Sequence, residues 1–370
     1  MMQPDSSIFV AGHQGLVGSA ILRKLKKDGY FRILTRSRKE LDLADHGSVG
    51  KFFRKETPDY VFLAAAKVGG VHANNTYPAE FIYNNLSIQT TVIHQAYLAG
   101  VKRLLFLGSS CIYPRLCPQP IKERYLMTGP LEPTNSPYAV AKIAGIEMCH
   151  AYNRQYGTQF IPVMPTNLYG PNDNFDLYTS HVLPAIIRKC HLIRLATQGD
   201  MAAIQRDIHI FGDIPHDIKS HLGISKNRIV RSSKPKLVIW GTGTSKRELL
   251  HVDDLADAVV YLMNQPRDVL NTLIDTDIPG TSPSCPLINI GTGEDRTISE
   301  LANIVKHITD VSGEIVYDAT KPDGTPRKLL DVGRLKRLNW HYRISLEQGI
   351  RQTYDWYMSR TGGTPSSSSA

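Results

Sequence analysis

Short apolar runs alternate with longer amphipathic segments along most of the chain. The first run, IFVAG, is followed by SAILRKLKKDG, in which apolar residues recur with helical spacing. The later runs with strand character are FRILT, DYVFLAAA, RLLFLG, QFIPVMP, KLVIW and LINIG. Strands that alternate with helices predict a parallel sheet covered on both faces. We therefore predict an α/β fold, a doubly wound parallel sheet of the Rossmann type with a smaller C-terminal lobe.

The predicted domains interleave along the 370 residues, a length that suffices for a large core and two lobes. We predict a dinucleotide-binding domain over 1–170, to which the segment at about 236–263 returns. A mainly substrate-binding lobe is predicted over 171–358. Residues 192–235 are rich in Asp, His and Lys without clear periodicity, and we predict a solvated, peripheral insertion there. The Gly/Ser-rich end, 361–370, is predicted to be a disordered tail.

Polar clusters in the predicted insertion do not indicate a metal site. The residues there that are able to ligate a metal are His209, Asp213, His216 and His221. Their spacing matches none of the ligand patterns that zinc sites use. We therefore predict no metal and interpret these side chains as solvated.

A glycine-rich turn joins the first predicted strand to the first predicted helix. Its glycines follow a G-x-x-G-x-x-G spacing, which permits a tight turn and close approach of the main chain to a pyrophosphate. The pyrophosphate then lies against the N-terminus of the helix. We expect the dinucleotide to contact Gly12, His13, Gln14, Gly15, Leu16, Val17 and Gly18.

Two further strand ends complete the predicted dinucleotide site. The second strand ends in TRSRKE, with Arg36 and Arg38 where a NAD-specific protein carries Asp or Glu. Because a guanidinium group matches phosphate oxygens, the two arginines favour NADP with its 2′-phosphate over NAD. The third strand ends in the small residues Ala64 and Ala65, which leave room for the main chain to pass under the dinucleotide.

A serine, a tyrosine and a lysine follow the strand RLLFLG. Ser109 lies at its end, and Tyr138 and Lys142 lie four apart on one face of a helix that we predict to be capped by Ser136 and to start at Pro137. An ammonium beside a phenol stabilises the phenolate and lowers its pKa from about 10, so the phenol is able to protonate a carbonyl oxygen as hydride arrives. The serine hydroxyl is able to hold the same oxygen. This arrangement predicts a ketone reductase.

Polar residues interrupt the apolar stripe of the helix predicted over 78–99. These residues are Asn84 and Asn85. Two interpretations are open: an exposed position on the surface, or a supporting role at the active site. Cys149 lies two turns beyond Lys142 on its helix, and we predict that it packs in the core.

Composition excludes several classes of partner. The net charge of +9 is spread without basic runs, which suits an anionic cofactor and substrate and argues against nucleic acid. The five cysteines form no C-x-x-C pair, as expected for reduced thiols in the cytoplasm. A strand within the first ten residues leaves no room for a signal peptide, and no apolar run reaches the ~20 residues of a membrane span. We expect a soluble cytoplasmic protein.

The glycine turn and the Tyr138–Lys142 pair together resemble the extended short-chain dehydrogenase/reductase family, in its branch that modifies nucleotide sugars. The runs that carry the resemblance are AGHQGLVGSAI, LAAAKVGG, ANNTYPAEFIYNN, LLFLGSSCIYP, EPTNSPYAVAKIAGIEMC, VMPTNLYGP, WGTGTSKRELLHVDD and KPDGTPRKLLD. Within that branch the chain is similar to NADPH-dependent enzymes that epimerise GDP-4-keto-6-deoxy-D-mannose at C3 and C5 and reduce it at C4, giving GDP-L-fucose. The resemblance also implies a homodimer.

The resemblance implies roles for residues that spacing alone does not assign. Cys111 and His181 correspond to the base and acid that flank the sugar, and His181 also corresponds to a cofactor contact. The segment implied to lie against the nicotinamide is Pro165, Thr166, Asn167 and Leu168. The implied substrate contacts are Lys189, Trp240 for stacking, Arg247 for the diphosphate and Asp323 for hydrogen bonding.

Three other functions remain open. A nucleotide-sugar 4-epimerase would use Tyr138 and Lys142 but retain tightly bound NAD, and it would need neither Cys111 nor His181. A dehydratase of the same branch would usually carry Thr-Asp or Thr-Glu where this chain has S-S-C. A non-catalytic NADP-binding protein is able to keep the glycine turn after losing the tyrosine and lysine, both of which are present here.

Overall fold

The computed structural model describes residues 1–225, 228–230, 235–274, 287–321 and 323–362. Of the predicted tail, only Thr361 and Gly362 fall within these ranges, where they close the last helix. The rest of the tail lies outside the described residues, as does Cys285.

The strands and helices follow one another in the predicted alternation. The strands are β1 (Ile8–Ala11), β2 (Ile33–Leu34), β3 (Tyr60–Leu63), β4 (Arg103–Leu107), β5 (Phe160–Pro165), β6 (Asn167–Tyr169), β7 (Ile224–Ser225), β8 (Arg228–Ile229), β9 (Lys236–Trp240), β10 (Lys246–His251), β11 (Ile288–Ile290), β12 (Asp295–Thr297), β13 (Glu314–Asp318) and β14 (Arg327–Lys328). The helices are α1 (Leu16–Lys27), α2 (His46–Glu56), α3 (Val71–Thr76), α4 (Pro78–Leu98), α5 (Ser136–Tyr156), α6 (Val182–Gln198), α7 (Met201–Phe211), α8 (His216–His221), α9 (Val252–Met263), α10 (Arg267–Ile274), α11 (Ile298–Ile308), α12 (Gly333–Lys336) and α13 (Leu346–Thr361). Single turns of 3₁₀ helix lie at Ser110–Ile112, Glu123–Tyr125 and Pro133–Asn135.

The chain divides into two compact units. Unit 1 comprises Met1–Leu168, Glu248–Gly293 and Leu329–Arg343, and unit 2 comprises Tyr169–Arg247, Glu294–Lys328 and Ile344–Ala370. The first boundary differs by only two residues from the predicted end at 170. The returning segments differ more: 236–247 belongs to unit 2, and 264–293 and 329–343 join unit 1. The reason is strand pairing, because β9 pairs with β13 and β11 pairs with β5.

Unit 1 is built on a six-stranded parallel sheet in the order β11-β5-β4-β3-β1-β2, which confirms the predicted fold class. Strand β1 explains why the apolar runs are continuous. Ile8 and Val10 pack on one face with residues of α1 and α9, whereas Phe9 and Ala11 pack on the other with residues of α2 and α4. Successive strand residues point to opposite faces, so a strand covered on both sides must be apolar throughout.

Helix α5 carries the tyrosine and lysine, and it starts one residue earlier than predicted. Asn135 occupies the N-cap position and Ser136 is the first helical residue. The helix ends at Gly157, which adopts the left-handed conformation with φ of +67°. Cys149 is fully buried, as predicted.

Unit 2 contains a core that the sequence pattern did not reveal. Arg188 on α6 and Asp207 on α7 are both fully buried, and Arg188 Nε donates to Asp207 Oδ1 at 2.9 Å. The hydroxyl of Tyr357 on α13 donates to the other oxygen of Asp207, and its ring stacks on Phe211 with centroids 4.6 Å apart. Helix α7 lies within the stretch predicted to be a solvated insertion, so that prediction is wrong for α7. The buried residues of α7 include Asp207, which is charged, so the sequence does not show apolar residues at regular helical spacing.

We predict that Asp207→Ala destabilises the protein by about 3–5 kcal/mol, because the buried Arg188 guanidinium loses its carboxylate partner. The control is Asp213→Ala, which removes an exposed partner of Lys219 at 2.7 Å and costs less than about 1 kcal/mol. Urea unfolding of both variants measures the difference. Equal losses of stability would contradict a core role for α7.

Candidate active site

The turn after β1 needs glycine for steric reasons. Gly12 has φ of +86°, and a Cβ atom there would lie 2.7 Å from the main-chain nitrogen of Ala65. A Cβ atom on Gly18 would lie 2.1 Å from the carbonyl oxygen of Gly12. Both distances are shorter than real Cβ contacts, so the turn packs against the ends of β3 and α1 only with glycine at these positions.

The N-terminus of α1 fits an anionic dinucleotide. Gly15 is the N-cap and provides no side-chain cap, and the first turn contains no acidic residue. Nδ1 of His13 is buried without a hydrogen-bond partner among the described residues. Main-chain N–H groups and the helix dipole there favour a pyrophosphate. The residues that would hold it are the predicted ones, from Gly12 to Gly18.

The loop after β3 is held by Asn85, which is buried on α4. Its Oδ1 accepts from the Lys67 N–H at 2.9 Å, and its Nδ2 donates to the carbonyl oxygens of Lys67 at 2.9 Å and Phe81 at 2.7 Å. Asn85 therefore fixes the segment that begins with Ala64. Asn84 lies on the exposed side and only donates back to the carbonyl of Glu80. Asn85 is thus buried and holds the loop after β3, whereas Asn84 is half-buried.

The two arginines after β2 have different surroundings. Nη2 of Arg36 pairs with Oε1 of Glu56 at 2.8 Å, and its guanidinium lies 5.3 Å from the centre of the Phe52 ring. Arg38 is exposed. Arg36 is therefore pre-oriented by a carboxylate and a ring, whereas Arg38 is accessible to a ligand from solvent.

Four predicted catalytic residues meet at the end of β4. The hydroxyl of Ser109 is hydrogen-bonded to Tyr138, and it also accepts from Sγ of Cys111 at 3.3 Å. Nζ of Lys142 lies 5.9 Å from the centre of the Tyr138 ring. The Phe81 ring meets the Tyr138 ring edge to face at 6.1 Å. The structure therefore brings the predicted reductase group and Cys111 together.

The predicted effect of the lysine on the tyrosine is wrong. Loss of hydration raises the pKa of Tyr138 and the Cys111 charge raises it further, while the hydrogen bond with Ser109 opposes them. Lys142 does not lower it, because its ammonium donates to the carbonyl of Leu107 at 2.7 Å. Burial lowers the pKa of Lys142 itself to about 8. Tyr138 is therefore a neutral phenol, the form that is able to donate a proton.

The segment Pro165–Leu168 leaves the carboxyl end of β5, and Glu248 holds it. Thr166 Oγ1 and Asn167 Nδ2 donate to the main-chain carbonyl of Glu248 at 3.3 and 2.9 Å. The carboxylate of Glu248 accepts from the N–H groups of Gly293 and Leu330, both at 2.8 Å. Sequence reasoning missed Glu248 because a glutamate in a strand gives no sign of burial.

A second missed network anchors the chain just beyond Cys111. The Tyr113 hydroxyl donates to Oδ1 of Asn289 at 2.6 Å, and the Asn289 N–H donates to Oε1 of Glu123 at 3.1 Å. Asn289 and Glu123 are buried. The exit of the turn that carries Cys111 is therefore tied to β11.

His181 lies in unit 2, at the N-cap position of α6, and its side chain makes no capping hydrogen bond. Burial of the ring, with the positive charge of Lys328 as a second cause, lowers the pKa of His181. The ring is therefore neutral near pH 7, and its protonated form would be a stronger acid than an ordinary histidine.

The four residues implied to bind substrate also lie in unit 2. Asp323 accepts from the N–H of Thr242 at 3.0 Å and from its hydroxyl at 2.8 Å, which ties it to the turn after Trp240. Trp240 is 54% exposed, as a stacking platform requires. Arg247 donates to the carbonyl of Thr325 at 2.6 Å, on the same segment as Asp323. These three lie on neighbouring segments, and Lys189 donates to the carbonyl of Val238 in β9 at 3.0 Å.

Neither a metal-binding cluster nor a membrane-spanning helix is present in the described ranges. Those ranges contain no group of three or more His, Cys, Asp or Glu side chains placed to hold a metal ion. None of the helices that they include combines the length and the apolar character needed to cross a bilayer.

A Rossmann-type sheet with a glycine turn and a Ser–Tyr–Lys group defines the class of dinucleotide-dependent reductases and epimerases. The chain belongs to the NAD dependent epimerase/dehydratase family, whose model matches residues 8–274. It is 48% identical over 358 residues to GDP-L-fucose synthase 1 of Arabidopsis thaliana, covering 97% of this chain and 95% of that one. It is 47% identical over 351 residues to the GDP-L-fucose synthase of Escherichia coli, covering 95% and 96%. A GDP-D-glycero-L-gluco-heptose synthase from Campylobacter jejuni, solved in the presence of NADPH, matches at 41% identity and a TM-score of 0.85, covering 96% and 99%.

The pKa of Lys142 predicts how catalysis depends on pH. We expect the ammonium form of Lys142 to bind the cofactor, and this form is lost as pH rises through about 8 in the free protein. Because kcat/KM reports groups of the free enzyme, kcat/KM for the reduced dinucleotide should fall above about pH 8. In Lys142→Arg, whose charge persists at this pH, the remaining activity should lack that decline. An identical decline in both proteins would show that loss of the Lys142 ammonium is not its cause.

Proposed function

We propose that the chain converts GDP-4-keto-6-deoxy-D-mannose to GDP-L-fucose by epimerisation at C3 and C5 followed by NADPH-dependent reduction at C4. The observation that carries the proposal is the Ser109 hydroxyl, which is bonded to both Tyr138 and Cys111. A substrate oxygen bound to the Ser109 hydroxyl would therefore lie next to both the proton donor for reduction, Tyr138, and the thiol for epimerisation, Cys111. The names of the Arabidopsis and Escherichia coli relatives support the same substrate and product.

In the reduction, Ser109 and Tyr138 hold the C4 oxygen of the sugar. NADPH, when bound, supplies the hydride to C4. Tyr138 gives its proton to the oxygen as negative charge develops there, which its neutral state permits. Lys142 places its ammonium beside the cofactor, and the hydroxyl of Ser109 holds the oxygen throughout.

In the epimerisation, a proton leaves a carbon next to the C4 carbonyl and another arrives on the opposite face. Cys111 is the proposed base, because its Sγ lies 3.3 Å from the Ser109 hydroxyl that defines the oxygen site, and a thiolate there is able to take the proton. His181 is the proposed acid on the opposite face, and its lowered pKa makes the protonated ring a better donor. Ser109 and Tyr138 stabilise the enolate oxygen between the two proton transfers.

In the proposal, the residues predicted from the sequence bind the substrate and the cofactor. Trp240 would stack on the base, Arg247 would bind the diphosphate, and Asp323 and Lys189 would hydrogen-bond to the substrate. Arg36 and Arg38 would bind the 2′-phosphate of NADPH. The solved Campylobacter jejuni structure with NADPH supports this cofactor.

Two further properties belong to the proposal. A homodimer is supported by large apolar side chains that α4 and α5 expose, namely Tyr83, Leu98, Val140 and Tyr156. A solution molar mass equal to one chain would contradict it. A reducing, cytoplasmic setting is supported by the cysteines that form no disulfide among the described residues, namely Cys111, Cys117, Cys149 and Cys190, and cell fractionation would test it.

We predict that Arg36→Ala/Arg38→Ala lowers the preference for NADPH over NADH. Charge-assisted hydrogen bonds to the phosphate are worth roughly 1.5–3 kcal/mol, so the ratio of the two kcat/KM values should fall about tenfold or more. Lys39→Ala, a neighbouring exposed cation, is the matched control and should keep the ratio. An unchanged ratio in the double variant would remove both arginines from the cofactor site.

We predict that Cys111→Ser separates the two chemistries. It replaces a thiol of pKa about 8.5 by a far weaker acid of similar shape, so exchange of the C3 and C5 protons with deuterated water should stop. NADPH binding should persist, and slow reduction of the unepimerised ketone is expected. Tyr138→Phe should lose reduction steeply but retain some exchange, because Ser109 still holds the enolate oxygen.

Mass spectrometry of deuterium incorporation, run beside NADPH consumption, measures both activities in each variant. Cys149→Ser is the matched control, because it changes a buried thiol outside the cluster. Exchange at the wild-type rate in Cys111→Ser would show that Cys111 only packs and that the epimerase assignment is wrong.

A further inference from the structure

Glu248 is a buried carboxylate of unit 1 whose two oxygens accept hydrogen bonds from two separate segments. None of its surface is exposed. Oε1 accepts from the Gly293 N–H at 2.8 Å and from the Thr292 hydroxyl at 3.5 Å, and Oε2 accepts from the Leu330 N–H at 2.8 Å. A carboxylate buried in this way is stable only while such donors remain in place.

The surrounding main chain is shaped to this carboxylate. A Cβ atom on Gly291 would lie 2.2 Å from Oε1 of Glu248, so the residue after β11 must be glycine for the carboxylate to fit. Leu329, next to Leu330, is held by Gln119 and Ile121, since its N–H donates to Oε1 of Gln119 at 2.9 Å and its carbonyl accepts from Ile121 at 2.7 Å. Both oxygens of Glu248 are thus bound to segments that are themselves fixed.

The main chain of Glu248 faces the other way, toward the end of β5. Its carbonyl oxygen accepts from Asn167 Nδ2 at 2.9 Å and from Thr166 Oγ1 at 3.3 Å. Thr166 is also fixed through its own N–H, which donates to the carbonyl of Ile290 at 2.9 Å. The two side chains therefore hydrogen-bond to strand β10, and the carboxylate ties the same strand to the Gly293 and Leu330 segments.

We propose that Glu248 is a positioning residue for hydride transfer, whose buried carboxylate fixes the strand that holds the Thr166 and Asn167 side chains at the nicotinamide position. This inference rests on the proposed function, in which Pro165–Leu168 lie against the nicotinamide. Glu248 itself touches neither substrate nor cofactor. Its effect is therefore on the orientation of the hydride donor toward C4, and not on proton exchange at C3 and C5.

The direct test is Glu248→Gln. This change keeps the volume but turns one acceptor oxygen into an NH₂ group that faces the N–H of Gly293 or Leu330. Misplacement of reacting atoms by about 1 Å costs about 100-fold in rate, so we expect the reduction rate to fall about tenfold to 100-fold. The kinetic isotope effect with NADPH deuterated at C4 should rise, because hydride transfer becomes slower than the other steps.

Two measurements should stay close to wild type in Glu248→Gln. They are the dissociation constant of NADPH and the rate of C3 and C5 exchange in deuterated water with NADP⁺, which cannot deliver hydride. Asp254→Asn is the matched control, because Asp254 is also a buried carboxylate of unit 1 that accepts a main-chain N–H, from Arg343. It should leave the ratio of reduction to exchange unchanged.

Equal losses of reduction and exchange in Glu248→Gln would give Glu248 a merely structural role and overturn the proposal, as would a wild-type rate of reduction. If Glu248→Gln does not fold, Thr166→Val tests the same link without the carboxylate, and an unchanged ratio of reduction to exchange there overturns the proposal. Failure of the proposed function would show instead in the wild-type chain, as absence of both reduction and exchange.

Discussion

The parallel sheet of unit 1 sets the position of every cofactor and reductase residue in that unit. Parallel strands end at the same edge, so the turn after β1, the loop after β3, Ser109 after β4 and Pro165–Leu168 after β5 all lie along one edge. The sheet is buried on both faces, which holds this edge rigid. Segments from four separated parts of the sequence thereby reach the same edge of the sheet.

Burial at this edge also sets the chemistry of the reactive groups. Loss of hydration raises the pKa of Tyr138 and lowers that of Lys142, so both side chains favour their neutral forms compared with water. The tyrosine is thus a proton donor throughout the neutral range, whereas the lysine changes charge near physiological pH. The carbonyl of Leu107 holds the lysine ammonium, and Ser109 links the phenol to the Cys111 thiol.

How much was predictable from the sequence depends on whether a signal is local. The glycine turn and the helix with Tyr138 and Lys142 were predictable, because backbone sterics and helical spacing act within a few residues. Helix α7 was not predictable, since its buried Asp207 is paired with an arginine nineteen positions away in the chain. Glu248 was missed for the same reason, because its partners Gly293 and Leu330 come from distant segments. The effect of Lys142 on the pKa of Tyr138 was not predictable, because the partner of the ammonium, the Leu107 carbonyl, is set by the tertiary fold.

The most direct test of the account follows the purified wild-type chain with NADPH and GDP-4-keto-6-deoxy-D-mannose in deuterated water. Mass spectrometry and NMR of the product identify its configuration and the origin of each hydrogen. The account predicts GDP-L-fucose, with solvent deuterium at C3 and C5 and the NADPH hydrogen at C4. A reduced sugar of the original configuration without deuterium at C3 and C5 would contradict it.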